Sequence, residues 1–134
     1  MMRRLGEAPV APAPEQPHYD EWGFYTYEVA LTANQELLDQ SIAIDADSDF
    51  YWVALVGTST GDFELRFKLP SGRYTSSGRI RNALMVGTAQ LPAPITPWVY
   101  CPASSRIGID IADLSGAANS VYLALRGFRR FRRK

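Results

Sequence analysis

This chain of 134 residues holds one cysteine and one histidine, and each scarcity closes off a class of chemistry. A lone thiol, Cys101, cannot form an internal disulfide, and a lone imidazole, His18, cannot supply the His and Cys clusters that hold zinc. Cys101 would need a base to act as a nucleophile, and His18 stands far from it in sequence, so the thiol reads as a structural, buried or partly buried group. No apolar run reaches the ~20 residues of a membrane helix, and the opening MMRRLGEAPVAPAPEQP has no apolar stretch of signal-peptide length. The chain therefore reads as made in the cytoplasm. Its serines, including Ser104 and Ser105, fit no nucleophile elbow, and Glu28, Asp45 and Glu64 show no paired-carboxylate pattern. No cofactor motif is present, and the expectation is a protein that is not an enzyme.

Net charge is also lacking, since 14 basic residues balance 14 acidic ones, which argues against a nucleic-acid binder. The charges are segregated, however. Arg126, Arg129, Arg130, Arg132, Arg133 and Lys134 crowd the last nine positions, and Arg3 and Arg4 stand near the start. Without those eight, six basic residues face fourteen acidic ones, which puts the body at minus eight. An acidic body with basic ends suits contact with further copies or with a mixed-charge surface.

Three segments follow from this. Residues 1–18 form a Pro-rich arm, because Pro9, Pro12, Pro14 and Pro17 favour an extended path with few backbone donors. Such an arm is either a flexible tail or a segment that orders across a neighbouring subunit. Residues 19–128 carry the body, and residues 129–134 a basic tail, so that cutting after Gly127 is expected to leave the body folded. In the tail, Phe128 and Phe131 interleave with arginines, which suits a protein surface first and phosphate second. If the tail continues the last strand, Arg130 and Arg132 share one face and Arg129, Phe131 and Arg133 the other.

Within the body the dominant period is two. Tyr25, Tyr27, Val29 and Leu31 alternate with polar or small residues, Leu38, Gln40, Ile42 and Ile44 follow, and Phe63, Leu65, Phe67 and Leu69 alternate with Glu64, Arg66 and Lys68. Phe50 to Val56 is apolar on both faces, as in a central strand covered on both sides, and is expected to form a hairpin with Phe63 to Leu69. Asn82 to Val86 reads as a short strand, Gly87 to Pro97 as an extended edge, and Trp98 to Cys101 as a brief strand. Ile107, Ile109 and Ile111 alternate again, and Val121 to Phe128 closes the body. Asp45, Asp47 and Asp49 resemble the start of a calcium loop, but Phe50 and Val56 occupy the positions that need glycine and glutamate, so the step reads as a turn. Seven or eight strands without helical periodicity predict an all-β fold, an antiparallel β-sandwich of jelly-roll type with extended N- and C-terminal arms.

The order of features resembles small virion proteins of tailed bacteriophages. It runs IDADSDFYW at Ile44 to Trp52, a polar strand at Phe63 to Leu69, a Pro-rich stretch at Leu91 to Pro97, Pro102 to Ile111 in the manner of P-x-S-x-I-x-I-D-I with one extra serine, and Asn119 to Phe128. The likeness covers about residues 42–128 and rests on the ordering. It implies a capsid cement or decoration protein, a jelly roll bound to the outside of the capsid in the virion. Its partners would be the major capsid protein and itself, as a dimer or trimer, with no specific nucleic acid, membrane, small-molecule substrate, cofactor or metal. The contact residues expected on this reading are Arg3, Arg4, Tyr19, Trp22 and Phe24 at the front, and Arg126, Arg129, Arg130, Phe131 and Arg133 at the back. Two alternatives stand beside it. One is a collar, head-to-tail or tail-fibre attachment protein, and the other a carbohydrate-binding β-sandwich module using Trp22, Trp52 and Trp98.

Overall fold

The computed structural model describes residues 18–132. Eight strands run β1 (His18–Leu31), β2 (Glu36–Ala43), β3 (Ser48–Ser59), β4 (Phe63–Lys68), β5 (Ile80–Arg81), β6 (Ala93–Cys101), β7 (Arg106–Asp113) and β8 (Asn119–Arg132), with one helical turn α1 (Asn82–Met85) before β6. They form two antiparallel four-stranded sheets, ordered β1-β8-β3-β6 and β2-β7-β4-β5. Pairing mirrors chain order: β1 lies beside β8, β2 beside β7, β3 beside β6 and β4 beside β5.

The inward faces meet in one core. Phe50, Trp52 and Leu55 of β3 and Leu123 and Leu125 of β8 face Phe63, Leu65 and Phe67 of β4 and Ile107, Ile109 and Ile111 of β7, all essentially without solvent contact. Trp52 reaches across the sheets to Phe67, with ring centroids 4.8 Å apart at an edge-on angle, a geometry that adds to the free energy of burial. Its indole N–H donates to the Ala54 carbonyl at 2.9 Å, so the ring carries no unpaired donor into the core.

Several segments differ from the sequence reading, each for a local reason. β3 and β4 lie in different sheets and do not form a hairpin. The chain crosses the core between them at Thr60 to Asp62, and Asn119 holds this corner by accepting from the Gly61 N–H and donating to the Gly61 and Asp62 carbonyls. Leu38 points to solvent, because β2 bulges between Leu37 and Gln40, with Asp39 at φ 56, and Leu37 takes the inward place. Residues 82–85 form a helical turn, with the Asn82 side chain accepting from the Phe63 N–H at 3.1 Å. β6 is an edge strand as its prolines require. Asp45 and Asp47 lie in the turn between β2 and β3, and Asp49, the second residue of β3, accepts from the Ala103 N–H at 2.9 Å.

The first and last strands run longer than expected. β8 has 14 residues and stays in register with β1 from Leu31 opposite Asn119 to His18 opposite Arg132. Residues 129–132, which read as part of a tail, therefore lie inside the sheet. A second bulge, at Val53, separates Trp52 opposite Gly127 from Ala54 opposite Arg126.

Candidate functional site: an aromatic row on the outer sheet face

Residues directly opposed in an antiparallel ladder share a face, so the register fixes what the outer surface of the β1-β8-β3-β6 sheet presents. One cross-strand row reads Trp22, Phe128, Tyr51 and Tyr100, an aromatic side chain from each of the four strands. Phe128 is its centre. Tyr51 stacks on it with centroids 4.9 Å apart, and Trp22 and Trp98 meet it edge-on at 5.8 and 5.6 Å. Trp22 is 69% and Trp98 59% exposed, a large apolar investment in water.

Arginines border the row on both sides. In the neighbouring row toward the chain termini, Asp20 faces Arg130, whose guanidinium also lies 5.1 Å from the Tyr51 ring centroid. The pair is bidentate, at 2.9 and 3.1 Å, and this hydrogen bonding holds the Asp20 carboxyl below the usual carboxylate range. In the row on the other side, Phe24 faces Arg126, and Arg126 lies 5.7 Å from the Trp22 ring. Both arginines sit within cation–π range of the aromatic row. An open apolar groove of about 590 Å³ continues the surface past β6, sharing Trp98 and Tyr100 and lined further by Leu69, Met85, Ile95 and Pro97.

The other sheet presents a different surface. There Asp110 accepts from the Asp39 N–H and from Arg66, each at 2.9 Å, and Arg66 lies 3.8 Å from the Tyr74 ring. Arg79 bridges Glu36 and Glu64 at 2.8 and 2.9 Å. That face is closed by its own ion pairs, whereas the aromatic row leaves rings facing water.

Of the residues expected to make contacts, the structure brings Trp22, Phe24, Arg126 and Arg130 together on the outer face. It places Tyr19, Arg129 and Phe131 on the opposite face of the same ribbon. Tyr19 stacks on Phe131 at 5.0 Å, and the Arg129 guanidinium lies over the core-facing Tyr25 ring at 5.0 Å. Arg3, Arg4 and Arg133 lie outside the described residues. Because Arg129 and Phe131 pack within the sheet, cutting after Gly127 would remove the centre of the row and part of β8, so it cannot separate a tail from an intact body.

Sequence reasoning missed Tyr51 and Tyr100 as members of a site, and it placed Trp98 only in the carbohydrate alternative and Phe128 only in the basic tail. The signal was present in Phe50 to Val56, whose apolar second face read as covered. In the structure Tyr51 and Val56 are half-buried, and Tyr51 packs within the outer row against Phe128 and Tyr100. Trp52, one of the three tryptophans of the carbohydrate reading, is 1% exposed and belongs to the core. Cys101 is buried next to Phe50 in the β3 to β6 ladder, and burial pushes its thiol up to about 12. Among the described residues no group of three or more His, Cys, Asp or Glu side chains is arranged to hold a metal, and no helix is long and apolar enough to cross a membrane. Comparison with protein-family models, curated proteins and solved structures returns no match.

Proposed function

We propose that this chain is a non-enzymatic structural protein of a tailed-phage virion, a cement or decoration protein that binds the outside of the capsid and bridges neighbouring major capsid subunits. The observation that carries the reading is the contrast between the two outer faces. One is closed by ion pairs, and the other offers an arginine-bordered aromatic row on a stiff four-stranded sheet. Exposed aromatic and arginine side chains held on a rigid scaffold are the usual anchors of protein interfaces.

Two further features support it. Mirror pairing of eight strands into β1-β8-β3-β6 and β2-β7-β4-β5 is the order a jelly roll takes when a long antiparallel hairpin rolls up, which agrees with the fold implied by the resemblance. His18 and Arg132 lie opposite each other at one end of the sheet, and modest contacts become strong through repetition on a symmetric shell.

The test uses particles assembled without this chain, to which the purified protein is added back, with copies counted by cryo-electron microscopy. Dozens to hundreds of copies over the shell are expected. About a dozen at one vertex would replace the cement role with that of a collar, and no binding would refute the proposal. The carbohydrate reading retains Trp22 and Trp98 as exposed rings, and a glycan array that returns binders whose affinity falls with Trp22→Ala would favour it.

A further inference from the structure

The prolines of the N-terminal segment fall into two P-x-x-P spacings, Pro9 with Pro12 and Pro14 with Pro17. A polyproline II helix has three residues per turn, so each spacing sets two rings on one side. Such segments are recognised by surfaces lined with aromatic rings, because the extended backbone loses little entropy on docking. The row of Trp22, Phe128, Tyr51 and Tyr100, with Trp98 beside it, is a surface of that chemistry.

Dimensions and charge agree. In polyproline II form residues 9–17 extend about 28 Å, and four adjacent strands set the outermost ones about 14 Å apart, so the segment can cross the whole row. Between Leu5 and Pro17 the chain has two glutamates and no basic residue, while the row is bordered by Arg126 and, in its pair with Asp20, by Arg130.

The geometry also selects whose row is used. The segment joins the sheet at His18, opposite Arg132. To reach its own row it would have to reverse direction within residues 15–18, yet each proline holds its predecessor extended, and residues 7–17 contain no glycine, asparagine or aspartate to form a turn. We infer that residues 9–17 of one copy dock across the aromatic row of a second copy, reciprocally. Exchange doubles the contact, which a nine-residue segment needs to approach the roughly 1,000 Å² of a specific interface. This rests on the assembly reading and deepens it by naming the segment and the surface through which copies meet.

The test keeps the full chain. An arm variant carries Pro9→Ser, Pro12→Ser, Pro14→Ser and Pro17→Ser, and a row variant carries Trp22→Ala with Trp98→Ala, both more than half exposed. Light scattering is expected to give the wild type twice the mass of one chain and each variant alone the mass of one. An equimolar mixture of the two variants is expected to associate again, since the intact segment of one meets the intact row of the other. Its dissociation constant should be at least about tenfold weaker than that of the wild type, because one of the two contacts is missing. A monomeric wild type, an arm variant that keeps the doubled mass, or a mixture that stays monomeric would each overturn the inference, the last by placing the segment on its own row or on neither. A second measurement does not depend on the row variant folding. A synthetic peptide of residues 7–17 titrated into the full-length arm variant should shift the fluorescence of Trp22 and Trp98, and an unchanged spectrum at millimolar peptide would count against docking. Because these assays contain no particles, their failure leaves capsid occupancy to be judged separately.

Discussion

Replacing Gly127 by alanine is expected to cost more than any other single-methyl change in the chain's long ribbon. A Cβ at Gly127 would stand 2.0 Å from the Tyr51 carbonyl oxygen and 2.8 Å from two Phe50 ring carbons. Backbone cannot give way as a flexible side chain does, so β3 and β8 must part at the Val53 bulge. That places the change at the upper end of overpacking costs, about 3 kcal/mol. For a domain of this size the same energy lowers Tm by about 10 °C, and with an m-value of about 1.5 kcal/mol/M it lowers the urea midpoint by about 2 M. A control is built into the register: Gly23 lies directly opposite Gly127 on β1, yet a Cβ there meets only the Arg129 guanidinium at 3.6 Å, an ordinary contact. Gly23→Ala should therefore leave stability unchanged or raise it by about 0.5 kcal/mol, since alanine loses less backbone freedom on folding. Urea titration followed by the fluorescence of buried Trp52 compares the two. Equal midpoints for Gly127→Ala and the wild type, or an equal loss at both glycines, would refute the reasoning.

Three other outcomes are expected. Asp113 accepts hydrogen bonds from Ser115, Asn34, Gly116 and Asn119, which hold its carboxyl well below the usual carboxylate range, with Ser115 the strongest influence. A depressed folded-state value means the stabilisation is complete above about pH 4, the unfolded range, and fades as pH falls toward the folded value. Acid titration should show this loss in the wild type and a flatter profile in Asp113→Asn. Cys101, its thiol pushed up to about 12 and buried, should resist a disulfide reagent at pH 8 in the folded protein and react promptly in denaturant, and fast native labelling would contradict its burial. Acrylamide should quench two of the three tryptophans, Trp22 and Trp98, and spare Trp52, a two-component response that a uniform quenching curve would exclude.

Much of the fold was legible where one face is buried and the other wet, because the side-chain period of a strand then appears directly in sequence. Phe63 to Leu69 reads as such a strand, and β4 ends one residue short of it at Lys68; Ile107, Ile109 and Ile111 alternate in the same way in β7, although Asp110 and Ala112 on its other face are buried as well. Reading failed where a bulge broke the period, as at Leu37 to Gln40, and where local apolar sequence gave no clue to partner choice. Nothing in Phe50 to Val56 says that its neighbours are β8 and β6 and not β4, since that choice is made by the whole chain. The candidate surface was half visible for the same reason. Trp22, Phe24, Arg126 and Arg130 stand out by composition, but their convergence on Tyr51 and Tyr100 depends on a register shared by four strands.

The pairing of β1 with β8 also bears on how the protein is made. β1 leaves the ribosome first, yet it is an edge strand whose one ladder partner, β8, is synthesised about a hundred residues later. The sheet that carries the aromatic row cannot close until residues 119–132 have left the ribosome. Until then HYDEWGFYTYEVAL is a long, aromatic, unpaired strand of the kind that invites aggregation. Asp20, Glu21 and Glu28 break its apolar run, and they give the nascent chain like charges that keep copies on neighbouring ribosomes apart.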